Sequence, residues 1–303
     1  MPRSEHRNLR TYEYTQVSEH HATRSHQPHD RMTPPDEKYN WATIPADGPP
    51  KRKASDRSAD FNEIYGEFDA EAVQAQASRC IQCPDALCVQ GCGLQNRIPE
   101  WMALTAEGRF LEAAEISRAT SNLPEICSRI CPQEKLCEGA CILGAKGEEA
   151  VAIGAIERFI NDYALDHGAV DAVQVPPNGR KVAIIGSGPS GLSCADELIQ
   201  RGYAVTILES SLIPGGLLVN GIPAFKLEKH LVERRVALLA KRGVQFKLGI
   251  KVGWDITLAK LREDYDAVFL AFGAQHSKTL DIPGGNLPGV VEALPFLIQK
   301  NVE

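Results

Sequence analysis

The chain has 303 residues, 43% hydrophobic and 24% charged, which suits a globular protein of one large domain or two modest ones. Its net charge of −6 gives no electrostatic support to a nucleic-acid role. No apolar run reaches the roughly 18 residues of a spanning helix, and the start MPRSEHRNLRTYEY lacks the apolar core of a signal peptide.

The expected location is therefore the cytoplasm, where thiols stay reduced, and the nine cysteines read as ligands rather than disulfides. Residues 1–60 are polar and poor in periodicity, with RMTPPDEKYN and ADGPPKRKASDRSAD among them. They are expected to form a disordered or surface-hugging tail. Its five histidines, His6, His20, His21, His26 and His29, have no paired spacing backed by a helix.

Residues 61–168 hold eight of the nine cysteines and read as a small all-helical domain. DAEAVQAQASRC has good helix formers and no breaker. IPEWMALTAEGRFLEAAEISRATS reads as two helices broken near Gly108. EEAVAIGAIERFINDYALDHG places Val151, Ile156, Phe159, Ile160 and Tyr163 near one helical face, closed by His167 and Gly168.

Residues 169–179 read as a proline-containing linker, and 180–303 change character. KVAIIG is a buried strand, SGLSCADELIQRG a helix and AVTILE a second buried strand, a β-α-β unit with parallel strands. An amphipathic helix follows over KLEKHLVERRVALLAKRG, then a strand in VQFKLG and a further buried strand in YDAVFLAFGA. Cys194, in the first helix of this part, reads as a small core residue.

Two cysteine runs carry the first chemistry. Cys80, Cys83, Cys88 and Cys92 are spaced C-x2-C-x4-C-x3-C; Cys127, Cys131, Cys137 and Cys141 are spaced C-x3-C-x5-C-x3-C. Such gaps let neighbouring thiolates converge on a metal centre. Zinc sites favour paired C-x2-C elements, and only Cys80 and Cys83 form one. Short-gap triplets on helix-forming sequence suit iron–sulfur cubanes better, and in two-cluster proteins a cysteine of one run can serve the other cluster. Zinc and inert thiols remain the alternative readings.

Gly186, Gly188 and Gly191 form G-x-G-x-x-G between a strand and a helix. Gly186 permits the tight turn, Gly188 the approach of a pyrophosphate and Gly191 close helix–strand packing. Glu209 ends the next strand, where it can accept hydrogen bonds from a ribose. The pattern indicates a dinucleotide site without saying which dinucleotide.

VAIIGSGPSGLSCADELIQRGYAVTILES, PGGLLVNGIPAFKLEK, YDAVFLAFGAQ and LPGVVEALPFLIQKN together resemble the small subunit of glutamate synthase. The same module occurs in the N-terminal part of dihydropyrimidine dehydrogenase, and the resemblance covers about residues 61–303. It implies an N-terminal all-helical domain with two 4Fe–4S clusters, followed by an incomplete α/β Rossmann-like FAD-binding domain. It implies FAD on the loop Gly186, Ser187, Gly188, Pro189, Ser190 and Gly191, with Glu209 as the ribose acid. Gly215, Gly216 and Leu217 match the stretch beside the flavin, Lys226 a basic position tied to FAD, and Val252 the strand-edge residue that meets the adenine.

For the clusters the resemblance implies a crossed arrangement. Cys80, Cys83 and Cys88 hold one cluster, completed by Cys141. Cys92, Cys131 and Cys137 hold the other, with Glu157 as its fourth ligand and Cys127 spare; Cys127 in place of Glu157 is the alternative. The family normally continues into a second Rossmann unit for NADPH, and no second G-x-G-x-x-G follows in the about thirty residues after Gly273. The NADPH domain is therefore expected to be absent here. The implied function is an electron-transfer oxidoreductase subunit: NADPH to FAD, to the clusters, to a large catalytic subunit of the glutamate synthase kind or another flavoenzyme subunit. The alternatives are an electron-input subunit of the dihydropyrimidine dehydrogenase type and a non-catalytic iron–sulfur or zinc docking protein. No catalytic acid, base or nucleophile stands out.

Overall fold

The computed structural model describes residues 40–170, 175–279 and 281–302, so the reading of residues 1–39 and part of the linker lies outside the described residues. The described chain falls into two compact units. One contains residues 40–53 and 65–170; the other contains 54–64 and the residues from 175 onward.

The first unit is helical, as its helix formers and missing strand alternation predict. Its main helices are α1 (Ala70–Ser78), α2 (Leu87–Gly91), α3 (Ile98–Ala106), α4 (Phe110–Arg118), α5 (Pro124–Ile130) and α6 (Ile153–Asp166). Asp69 caps α1 by accepting the Ala72 N–H at 2.7 Å. Pro124 opens α5, where its missing N–H costs nothing. The break at Gly108 falls between α3 and α4, with φ of 75°. Helix α6 begins at Ile153, so Val151 is buried just before it rather than on it, and Gly168 follows its His167 cap.

Trp101, Met102, Ile156 and Ile160 are fully buried at the centre, where α3, α4, α5 and α6 pack on one another. Phe110, Phe159 and Tyr163 stack edge-on or face-on, with ring centres 5.0 to 6.0 Å apart. Arg129 on α5 grips Asp162 on α6 through two parallel bonds, 3.1 and 2.5 Å, while Arg158 lies 3.7 Å from the same carboxylate. The stretch 40–53, part of the expected tail, packs on this unit: the buried Arg79 side chain bonds the Ile44 carbonyl, and Gln76 bonds that of Pro45.

The second unit is a parallel sheet with helices between its strands: β1 (Lys181–Ile185), α7 (Pro189–Ile199), β2 (Ala204–Glu209), α8 (Lys229–Lys241), β3 (Gln245–Leu248), α9 (Leu258–Asp264) and β4 (Ala267–Leu270), followed by α10 (Ala293–Val302). The strand order is β3-β2-β1-β4. All three pairings are parallel, with Ile184 opposite both Ile207 and Phe269. The order reverses at β1, which opens a crevice beyond the carboxyl ends of β1 and β4. Strands β1 and β2 are buried as their apolar runs predict. Strand β4, expected to be buried, is not: Phe269 is 39% and Leu270 55% exposed. It is an edge strand among the described residues, as β3 is on the other side, and its apolar side chains have little covering them there, which a run of apolar letters cannot reveal.

Asp162→Ala removes the carboxylate that Arg129 and Arg158 share in a mostly buried setting. The loss is expected to be about 3 kcal/mol of stability, read as a lower denaturation midpoint in urea with an unchanged slope.

Candidate redox-cofactor sites

The two cysteine runs do not form two separate knots. The thiols of Cys80, Cys83 and Cys88 each feel the charge of Cys141, from the far end of the second run. These four side chains ring one pocket, walled by Ile98, Pro99, Met102 and Val151. On the other side, Cys131 and Cys137 each feel both Cys92 and Glu157. Each run therefore lends one cysteine to the other's group.

Local backbone makes this interleaving sterically possible. Cys80 and Cys83 lie on either side of a bend in which Gln82 takes φ of 52°, an uncommon value for a residue with a side chain. That bend aims the Gln82 N–H at Cys80 Sγ. Amides of Cys83, Val89 and Glu138 point likewise at Cys83, Cys88 and Cys137. Cys92 is carried out of the first group at the end of α2. There Gly91 lies so close to the second run that a Cβ would sit 2.7 Å from the Leu136 carbonyl oxygen and 2.8 Å from Ala140 Cβ.

The electrostatics of the protein groups alone oppose ionisation. Burial pushes the Cys80 and Cys137 thiols up to about 12 and Cys88 up to about 11. Burial, then the negative charge of Cys127, pushes the Glu157 carboxyl up to about 8, against the Ser117 hydroxyl that bonds it. Such groups ionise when a cation takes their charge, so metal loading expels protons. Cys127 and Cys131, one helical turn apart, share a hydrogen bond that raises Cys127 and lowers Cys131. Among the described residues no three His, Cys, Asp or Glu side chains meet at the spacing of a single ion. The donor set fits an iron–sulfur group: paired sets of sulfur ligands, backbone N–H bonds to sulfur and apolar walls.

In the second unit the glycine loop follows β1 and opens α7. Gly186 has φ of 105°; a Cβ on Gly191 would lie 2.0 Å from the Gly186 carbonyl oxygen; and nothing lies within 4 Å of a Cβ on Gly188. The loop is thus tight where it packs and open where a ligand approaches. Pro189 and Ser190 start α7, whose first amides face that space as an anion site.

Glu209 does more than await a ribose. Its Oε2 accepts the Ser187 N–H at 2.9 Å and the Ser187 hydroxyl at 2.6 Å. Its Oε1 accepts the Ser210 hydroxyl at 3.1 Å and the Ser211 N–H at 2.8 Å. Four bonds use the lone pairs of a carboxylate, so Glu209 braces the loop itself. Ser187 then accepts the Gly215 N–H at 3.0 Å, which seats Gly215 and Gly216 against the loop, with Leu217 starting the short helix Leu217–Asn220.

Lys226 is exposed, in the turn before α8. The basic residue that turns inward is Lys229: its Nζ bonds the Leu218 and Ile222 carbonyls, and burial lowers its pKa. Val252 follows β3 and packs on the cluster of Ala183, Ile185, Leu208 and Leu261. Sequence reading placed Ser187 on the expected FAD loop, without its bonds to Glu209 and Gly215, and did not single out Lys229, Ser117 or Asn161. Ser187 alone had a signal, as a hydroxyl inside the glycine motif.

Comparison with known proteins matches residues 57–169 to the family described as dihydropyrimidine dehydrogenase domain II, 4Fe–4S cluster. Residues 180–300 match the pyridine nucleotide-disulphide oxidoreductase family. The chain is 46% identical over 255 residues to the glutamate synthase [NADPH] small chain of Azospirillum brasilense, covering 84% of this chain and 53% of the relative. It is 45% identical over 261 residues to that of Escherichia coli, covering 86% and 55%. It is also 45% identical over 257 residues to the putative oxidoreductase AegA of Escherichia coli, covering 84% and 39%. The chain thus spans about half the length of the glutamate synthase small chains it matches.

Glu209→Gln keeps the shape but removes the anionic acceptor from four loop donors. It is expected to cost about 2 kcal/mol, seen in urea unfolding, and to weaken retention of a bound dinucleotide through dialysis.

Proposed function

We propose that this homologue of the glutamate synthase small chains is an electron-transfer oxidoreductase subunit holding FAD and two 4Fe–4S clusters. The observation that carries the reading is the interleaving of the two cysteine runs. Two groups of four donors arise, Cys80, Cys83, Cys88 and Cys141 in one, Cys92, Cys131, Cys137 and Glu157 in the other. Two such groups in one small helical unit suit two redox centres held near each other.

When bound, FAD supplies hydride acceptance and the clusters supply one-electron steps, which joins a two-electron donor to a one-electron path. The protein's own part is to bind, orient and insulate. The pocket walls of Ile98, Pro99, Met102 and Val151 keep water from the first group. Amide N–H bonds withdraw charge from the sulfurs and so help set the potentials. In the second unit the amides at the start of α7 bind pyrophosphate, Gly188 leaves it room, and Glu209 with Ser187 holds the loop rigid. Glu209 would be the residue to accept a hydrogen bond from a ribose hydroxyl.

The electron donor in this reading is NADPH, bound by a domain that these residues do not include, and the acceptor is a large catalytic subunit of the glutamate synthase kind. The match to AegA and to the dihydropyrimidine dehydrogenase domain supports a second reading, the same relay feeding another flavoenzyme. The cytoplasm fits a chain whose nine cysteines form no disulfide among the described residues. Among the described residues no helix is long and apolar enough to cross a membrane.

Anaerobically purified protein is expected to be yellow-brown, to bleach with dithionite, and to contain flavin with iron and sulfide in equal amounts. A colourless protein containing zinc overturns the reading. Cys83→Ser should remove one cluster's electron paramagnetic resonance signal, while Cys92→Ser and Glu157→Ala should both alter the other.

A further inference from the structure

The carboxylate of the second ligand group accepts a hydrogen bond from a neutral hydroxyl buried in the helical core, with the charge of Arg118 acting on it as a weaker influence. Ser117 on α4 is fully buried and donates its hydroxyl to Glu157 Oε1 at 3.2 Å. Asn161 on α6, also fully buried, donates Nδ2 to the Ser117 hydroxyl at 3.2 Å and to the Glu157 carbonyl at 2.9 Å. The bond to the carbonyl fixes which end of the Asn161 amide is nitrogen. With Asn161 donating to its oxygen, the Ser117 hydroxyl has its single hydrogen left for the carboxylate.

The serine is itself anchored. Its carbonyl accepts Asn96 Nδ2 at 2.9 Å, and Asn96 Oδ1 accepts Trp101 Nε1 at 2.8 Å. Side chains from α3, α4, α6 and the turn before α3 thus form one hydrogen-bonded chain, of which only the Ser117 hydroxyl touches the carboxylate. The other oxygen, Oε2, has no hydrogen bond among the described residues. Asn161 Oδ1 is buried with no hydrogen-bond partner among the described residues, an arrangement that costs stability. An apolar side chain there would avoid the cost. The fold keeps the amide, and what the amide does is hold the Ser117 hydroxyl.

We infer that Ser117, fixed by Asn161, is a positioning residue for Glu157 as a cluster ligand: it ties down Oε1 and leaves Oε2 to face the metal. The inference rests on the reading of Glu157 as a ligand. A neutral hydroxyl suits the task, because an ammonium or guanidinium at the same place would compete with iron for the carboxylate charge. The hydroxyl withdraws a little of that charge, which makes the cluster easier to reduce than one held by a bare carboxylate.

The test is potentiometric titration with electron paramagnetic resonance on the anaerobically purified, cluster-loaded chain. Ser117→Ala is expected to keep the parent's iron and sulfide content, to shift the second cluster to lower potential and to change its line shape. The cluster held by Cys80, Cys83, Cys88 and Cys141 should not move. Asn161→Ala should shift the second cluster the same way by less, and Ser117→Thr, which keeps the hydroxyl, should restore the parent potential. If Glu157→Ala alters the second cluster while Ser117→Ala and Asn161→Ala leave its potential and line shape unchanged, the positioning role is overturned and the ligand reading stands. If Glu157→Ala itself changes nothing, both fail. Should Ser117→Ala not fold, Asn161→Ala decides by the same criterion, since it leaves the hydroxyl in place.

Discussion

The helical unit depends on how near two stretches of backbone come at Gly91. A side chain there would meet the Leu136 carbonyl and Ala140 at less than 3 Å. Because none is present, the end of α2 lies directly on the second cysteine run, and Cys92 reaches Cys131 and Cys137. The same contact lets Cys141 stand with Cys80, Cys83 and Cys88. Push the two stretches apart and each run would have to complete its own site. The distance at one glycine is what makes the two donor groups share the peptide 80–92.

A second constraint runs through both units: charge buried where water cannot answer it. In the helical unit burial holds the thiols of Cys80, Cys88 and Cys137 and the carboxyl of Glu157 towards their protonated forms. Amides and hydroxyls, all neutral, are what it aims at those groups. In the sheet unit Glu209 is a buried carboxylate, and the answer is again neutral donors, four of them: two from Ser187 in the glycine loop and one each from Ser210 and Ser211 just beyond β2. The two solutions differ in purpose. Around the cysteines and Glu157 the donors are consistent with the proposed cluster sites, whereas around Glu209 they close a loop into one shape.

The sheet unit also shows where local pattern stops being informative. The apolar run of β4 resembles that of β1, yet β1 lies between two strands and β4 at the edge. Which neighbours a strand acquires depends on the order of the sheet, and exposure follows from that. Lys226 and Lys229 make the same point for charge. Both sit near the start of α8, three residues apart, and the phase of the chain turns Lys229 towards the carbonyls of 218 and 222 while Lys226 faces solvent.

The sequence alone determined the division into a helical part and a β-α-β part, because period and turn residues are local properties. It also determined the glycine loop, whose three glycines take the conformations their positions require, and the two cysteine runs as donor sets. Resemblance to relatives supplied the crossing of those runs, which spacing left open. Tertiary structure alone decided that Glu209 braces the loop through Ser187, that β4 is exposed, and that Ser117, Asn161, Asn96 and Trp101 gather on Glu157. The residues of that cluster are 4 to 65 positions apart in sequence and carry no motif. They meet because α3, α4 and α6 bury their apolar faces together, and a hydrogen bond between buried side chains exists only once the helices that carry them have packed.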